Sequence, residues 1–494
     1  MNDNDNLTET PSDKSLENSP NDPEQDLATR FPTAYTVLFL LIIFVAALTW
    51  IIPAGQYDRA MNEEVGREVA VPGTYQTVDP NPQGFMEVML APTAGFYDPD
   101  SYVANAIDVA LFVLFLGGFL GVMNATGAID TGIRSAMRHL KGREVWMIPI
   151  LMSLFAIGGT TYGMAEETLA FYSILIPVMM AAGYDVVTGV AIILIGAGIG
   201  VLGSTINPFA TVIAANAAQI PFTDGIVVRF ILLIGGLLIC AGYVMRYAVR
   251  VKSDPSHSVV SRQWDAHRRL FLGKHADEVQ ASTLTRTQIV ALLIFAATFV
   301  VMIWGVSSQD WWMARMGALF FGSALVIGII ARLGEKELTG SFVDGARDLL
   351  GVALVVGLAR GIVVIMDQGM IADTILHSAE TSLGGLPELA FINLMFWIEV
   401  GMSFFVPSSS GLAVLSMPIL APLADFAHVG RDLVVTAYQS ANGLVNLINP
   451  TFAVVVGGLA IGRVSYDRWI AFIWPLLLIL TIFISVVISI AALI

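Results

Sequence analysis

The sequence predicts an all-α polytopic membrane protein. Its plan is an inverted repeat with two re-entrant hairpins and two transmembrane helices broken at Asn-Pro. Three observations predict it. Of 494 residues, 56% are apolar and only 13% charged, against about 25% charged in an ordinary soluble domain. Two hairpin-like segments of similar layout each precede an apolar run interrupted by Asn-Pro. Lysine and arginine gather in alternate connections, as they do in cytoplasmic loops. So few charges could not cover that much apolar surface in water, which excludes a soluble enzyme or a disordered scaffold. Acidic residues exceed basic ones by 40 to 25, for a net charge of −15, which argues against a nucleic-acid partner. The one cysteine, Cys240, lies in an apolar run, so neither a disulfide framework nor a thiolate metal site is available.

Residues 1–30 form an acidic tail rich in Asn, Asp, Ser and Pro, read as disordered and cytoplasmic. The run from Thr33 to Ile52 is too long for a signal-peptide core and lacks a basic flank, so it is the first span. A helix crosses a ~30 Å core with roughly 20 apolar residues. Further stretches of that kind occupy about 103–125, 186–220, 223–249, 288–306, 312–332, 346–366, 432–463 and 466–494. Segments 145–183 and 387–426 differ, each holding two apolar stretches of 12–16 residues around a Gly- or Ser-rich centre. That is the pattern of a re-entrant hairpin. The first membrane half is then 31–249, with an external loop at 53–102 read as an ordered connector. A cytoplasmic linker covers 250–287, and the second half is 288–494.

Charge sets the orientation. Arg134, Arg138, Lys141 and Arg143 lie in 130–144, and the linker, segment 332–347 and the connection holding Arg463 and Arg468 are also basic. Loops 53–102 and 367–387 carry only Arg59 and Arg67. With both hairpins re-entrant, nine crossings put every basic cluster inside, the N-terminus in the cytoplasm and the C-terminus outside. Counting one hairpin as a pair of crossings leaves that parity unchanged.

The hairpins enter from opposite sides. Gly163 precedes Asp185 by 22 residues, and Ser410 precedes Asp432 by 22. Asn207-Pro208 and Asn449-Pro450 interrupt the spans that follow. A proline removes a backbone hydrogen bond, and in lipid such a break survives where it lines a cavity. One Asn-Pro would be a simple kink; two at matched positions point to broken helices in an inverted repeat. Site one combines a tip bearing Thr160, Thr161, Glu166 and Glu167 with Ser204, Thr205 and Asn207. Site two combines Ser408, Ser409 and Ser410 with Asn446, Asn449 and Thr451. Their hydroxyl and carbonyl oxygens suit Na⁺, and the helix N-termini at the breaks attract carboxylates. Close packing accounts for Gly196, Gly198, Gly200, Gly457 and Gly458, but less well for three serines after a proline.

Ionisable residues within spans are costly and mark function. Arg360 lies mid-span and Glu399 in the first arm of the second hairpin. Arg360 either neutralises one of these carboxylates or holds a substrate carboxylate bidentately. Glu166 or Glu167 either carries a proton or recognises a substrate amino group, and the two weaken a dicarboxylate reading. The six histidines fall in loops or span ends, against an intramembrane protease. The chain has no Walker A motif, which excludes an ATP-driven pump on this chain. A channel remains the rival class, and it would show neither saturation nor counterflow.

The stretches GTTYGMAEETLAFYSILIPVMMAAGYD, GSTINPFATVIAANAA, ARGIVVIMDQGMI and FFVPSSSGLAVLSMPILAPLADFAHVGRD resemble the YfcC branch of the C4-dicarboxylate anaerobic carrier (DcuC-like) family. So does the opening FPTAYTVLFLLIIFVAALTWIIPAGQYDR. The family belongs to the broader ion-transporter superfamily. The resemblance implies an elevator-type transporter in the bacterial inner membrane, with substrate held between the hairpin tips and the broken helices. It implies a homodimer, whose scaffold would use the unbroken spans 33–52, 288–306 and 312–332. No cofactor is implied beyond a coupling ion, Na⁺ or H⁺. The family name implies a C4-dicarboxylate or related organic acid as substrate. Members of this branch also carry the name of basic amino-acid antiporters.

Overall fold

The computed structural model describes residues 34–62, 67–129, 131–132, 144–273, 284–309, 311 and 313–494. The tail 1–30 and the basic residues Arg134, Arg138, Lys141, Arg143 and Lys274 lie outside the described residues. Almost everything described is helical, as a chain must be when lipid cannot satisfy its backbone polar groups. Eight helices are long and apolar enough to cross a membrane.

One group of helices packs around α3 (Ile107–Ala125). The group also contains α1 (Ala34–Leu48), α2 (Phe85–Ala94), α10 (Arg286–Gln309), α11 (Met313–Ile330), α12 (Glu335–Asp348) and α13 (Leu350–Gln368). α3 lies against α11, α12 and α13, and α13 lies against α1 and α2. The contacts are tight because small residues meet: a Cβ on Gly117 would run into the Gly345 carbonyl, and one on Gly345 into that of Gly117. Buried Phe112, Phe119, Phe299 and Phe320 fill the space between α3, α10 and α11.

The second group holds both hairpins and both breaks. α4 (Met147–Tyr162) and α5 (Leu169–Ala181) pack on α6 (Val186–Leu202). α6 starts at Asp185, whose carboxylate accepts from the Thr188 N–H at 2.9 Å and caps the helix. It is apolar on every face and buried along nearly its whole length. After Gly203 the chain turns, and Pro208–Val212 form a π-helical turn before α7 (Ile213–Ala217). In the second half, α15 (Glu388–Phe405) and α16 (Ser409–Phe426) pack with α17 (Arg431–Val445). A break at 446–452 separates α17 from α18 (Ala453–Ile461). α6 and α17 touch each other, and α8 (Ile226–Ser253) and α19 (Tyr466–Ala492) complete the group. The two groups meet chiefly where α13 contacts α18.

Several boundaries differ from the sequence expectation. The first hairpin has arms of 16 and 13 residues, but both arms of the second have 18. The reason is local. The Ser408 hydroxyl accepts from the Gly411 N–H at 3.2 Å, so the serine run caps and opens α16 instead of extending the turn. By length and composition each of these arms could itself cross the membrane. The first span is shorter than expected, ending at Leu48. The described residues of the loop 53–102 form an ordered cap. β1 (Gly55–Gln56) pairs antiparallel with β4 (Gln76–Thr77), and β2 (Arg59–Asn62) with β3 (Arg67–Ala70). The cap is tied to α14 (Ala372–Leu383), and β3 also contacts α16. Arg59 Nη2 reaches both Asp373 oxygens at 2.9 and 3.0 Å, and the Tyr75 ring stacks on His377 at 4.0 Å. The Tyr57 hydroxyl donates to Glu380 at 2.7 Å; burial, then the nearby carboxylates, pushes its pKa up. The linker contains α9 (Trp264–Leu272), whose buried His267 meets the Arg463 carbonyl at 3.1 Å.

Candidate functional site

At the first tip, α4 ends on Gly163, with φ of +77°, a left-handed conformation natural to glycine. A Cβ there would come within 2.8 Å of the Asn207 amide oxygen, so glycine also admits the neighbouring break. The Asn207 side chain joins break to tip. Its Nδ2 donates to the Gly159 carbonyl at 2.9 Å, and its Oδ1 accepts from the Phe209 and Ala210 N–H groups at 2.8 and 3.1 Å.

The second break repeats that device with its own residues. Asn449 Nδ2 donates to the Ser403 and Phe404 carbonyls at 3.0 and 3.2 Å. Its Oδ1 accepts from the Thr451 N–H at 3.0 Å and the Thr451 hydroxyl at 2.8 Å. In both places an asparagine amide donates to the closing turn of a hairpin's first arm. Its oxygen caps the backbone N–H two residues on, beyond the proline. Gln439 ties α17 to the first break: its Nε2 donates to the Ser204 carbonyl at 2.9 Å and its Oε1 accepts from Thr211 at 3.1 Å.

A cavity of about 520 Å³ lies between the two tips. Glu166, Glu167, Asn207, Arg360, Ser408, Ser409, Ser410, Asn446 and Thr451 all line it. The other expected residues are not part of its lining. Thr160 and Thr205 are buried and share a hydrogen bond of 3.0 Å, while Thr161 donates back to the Ile157 carbonyl at 2.6 Å. Ser204 is buried against Thr211, and Asn449 is fully buried beneath the second tip. These residues shape the lining without forming it.

Charge is distributed unevenly around the cavity. Glu167 is buried and its Oε2 accepts from the Ala165 N–H at 3.0 Å. Glu166 sits beside it, within electrostatic reach of Asp108. Asp108, in the first turn of α3, also lines the cavity; sequence reading passed over it, because an acidic residue opening an apolar run is an ordinary helix start. Arg360 is half-buried and, among the described residues, has no hydrogen-bond or ion-pair partner. The structural pairing of Arg360 with Glu166, Glu167 or Glu399 is therefore not what the structure contains. Glu399 stands apart, fully buried in α15, with neither carboxyl oxygen hydrogen-bonded among the described residues. The Asn446 side-chain oxygen is likewise buried without a partner there, although its Nδ2 donates to the Pro407 carbonyl at 3.0 Å. Among the described residues no cluster of His, Cys, Asp and Glu could hold a metal ion.

Comparison with known proteins adds the family. Residues 31–493 match the C4-dicarboxylate anaerobic carrier family, DcuC. An uncharacterized protein of Haemophilus influenzae is 35% identical over 487 residues, covering 90% of this chain and 94% of that one. Escherichia coli YfcC, whose name proposes a basic amino acid antiporter, is 34% identical over 491 residues, covering 92% and 95%. Among solved structures, the YdaH transporter of Alcanivorax borkumensis matches at 15% identity and a TM-score of 0.38, over 93% of this chain and 98% of that one. The family match runs through both hairpins, both breaks and every residue of the cavity between them: this multi-pass membrane protein belongs to the C4-dicarboxylate anaerobic carrier family of transporters.

Proposed function

We propose that the chain is an ion-coupled secondary transporter, carrying a small carboxylate-bearing metabolite through the cavity by an elevator motion. The observation that carries this reading is the convergence of two hairpin tips and two Asn-Pro breaks on one cavity, with an arginine that has no hydrogen-bond or ion-pair partner among the described residues. Arg360 anchors a substrate carboxylate as a bidentate donor. The equivalent roles of Asn207 and Asn449 support an inverted repeat, in which re-entrant hairpins α4–α5 and α15–α16 exchange exposure between the two sides. The hairpin group moves against the α3 group, which packs through interlocking small residues, and a homodimer holds that scaffold still. The chain sits in the inner membrane with its N-terminus in the cytoplasm, as its basic connections support.

A specific observation favours the amino-acid reading over the dicarboxylate one. The cavity presents Asp108, Glu166 and Glu167 against Arg360 alone. A dianion would meet more like charge than opposite charge, whereas an amino acid with a basic side chain complements both signs. Basic amino-acid antiport is therefore the preferred form of the proposal, with Na⁺ at the tip oxygens or H⁺ at the glutamates as the coupling ion. The test is uptake into proteoliposomes of lysine, arginine, succinate and a monocarboxylate, under Na⁺ and proton gradients imposed separately. Succinate uptake with no lysine uptake would reverse the substrate preference. Flux without saturation or counterflow would make the protein a channel.

A further inference from the structure

A second cavity, of about 350 Å³, adjoins the first on the side of the β-strand cap. Arg360 and Val363 of α13 line both. The remaining wall comes from the cap, from the start of α14 and from the second hairpin, where Val414 is one of the lining residues. Two charged groups of this wall already neutralise each other: Arg59 binds both oxygens of Asp373, which also accepts from the Tyr57 N–H at 3.0 Å. The other two charged groups of the lining, Arg360 and Asp367, lie on one helix, and Asp367 feels the charges of both Arg360 and Arg59. They stand seven positions apart, so they share a face of α13 about 10 Å apart along its axis, and both side chains lean the same way.

We propose that this cavity is an antechamber, a second substrate subsite. It takes a molecule with a carboxylate and a distant ammonium group, the carboxylate on Arg360 and the ammonium on Asp367. This rests on the amino-acid reading above. A charged hydrogen bond takes about 3 Å at each end, leaving a span that an amino acid with a terminal amino group bridges. A dicarboxylate offers Asp367 nothing. Because Arg360 faces both cavities, the carboxylate keeps its anchor while the rest of the molecule swings into the main cavity.

The experiment uses the full chain with L-lysine as probe, measuring equilibrium binding affinity in detergent and uptake in proteoliposomes. Because Arg360 serves both positions, wild type is expected to bind one lysine, and Val414→Trp, which fills only the antechamber, is expected to bind it about tenfold or more weakly. Asp367→Asn is expected to raise the lysine KM by about tenfold or more, as loss of a charged hydrogen bond does. Its Vmax stays within about twofold, and Asp367→Glu restores the KM. Lysine exchange with an unchanged KM in Asp367→Asn, together with wild-type lysine affinity in Val414→Trp, would overturn the antechamber alone. Failure of wild type to bind or exchange lysine would overturn the substrate reading, and the antechamber with it.

Discussion

Replacing Asn207 tests whether the break and the tip act as one unit. Asn207→Ala deletes a donor to Gly159 and the acceptor that caps Phe209 and Ala210. Asn207 is 1% exposed, so the orphaned groups have little water to turn to. Each buried unsatisfied group costs about 1–3 kcal/mol. Asn207 also lines the cavity, and water entering from there would satisfy part of the loss. Taking two groups at the low end gives about 2 kcal/mol, a factor of about 30 in the population of the assembled tip. The break lies within one half of a large membrane domain, so the chain should still fold and migrate as wild type on gel filtration. Ion-driven uptake should fall at least that far, and Asn449→Ala should behave alike. Asn207→Asp separates the two jobs, because it keeps the acceptor for the backbone caps and loses the donor to Gly159. It should fold as the alanine variant does and transport as poorly. Uptake within twofold of wild type in both Asn207→Ala and Asn449→Ala would refute the reasoning.

Three further expectations follow from individual side chains. Arg360→Lys keeps the charge but not the fork, so substrate KM should rise about tenfold or more while folding is unchanged; an unaltered KM would remove Arg360 from substrate binding. Glu166→Gln and Glu167→Gln, assayed from about pH 5.5 to 8.5, separate two roles. A proton carrier leaves uptake insensitive to external pH with exchange intact, an amino-group ligand loses both, and unchanged rates in both variants would make the pair structural. His267 is held below its ordinary pKa by burial, so the folded protein resists its protonation. Its stabilising contribution is present above the unfolded pKa near 6.5 and is lost as pH falls below it. His267→Gln should therefore flatten the decline in melting temperature between about pH 7 and pH 5, and an unchanged slope would show that His267 does not govern it.

The parts of this molecule most legible in its sequence are those where one residue type has one structural use. Gly163 and the two Asn-Pro pairs located both breaks and one tip, because a left-handed turn and a missing N–H leave few alternatives. The serines after Pro407 misled on hairpin length, since the same residues serve a loop or an N-cap and only the Ser408 geometry decides. Among the polar residues of the breaks, no local signal tells a cavity-facing side chain from an inward one. Thr205 turns to Thr160, while Thr451 reaches the lining. Asp108 and Gln439 were missed for the same reason. Each enters the site through packing between elements far apart in sequence, which periodicity cannot express. The unpartnered state of Arg360 was equally out of reach, because it depends on which carboxylates the fold keeps away.

The central claim is that the cavity between the tips carries substrate by alternating access. Counterflow tests it most directly: proteoliposomes loaded with unlabelled lysine are diluted into trace labelled lysine with all ion gradients collapsed. Alternating access predicts transient accumulation of label above equilibrium, saturating with substrate and lost in Asn207→Ala and Asn449→Ala. Monotonic entry that never exceeds equilibrium, in wild type as in the variants, would contradict it.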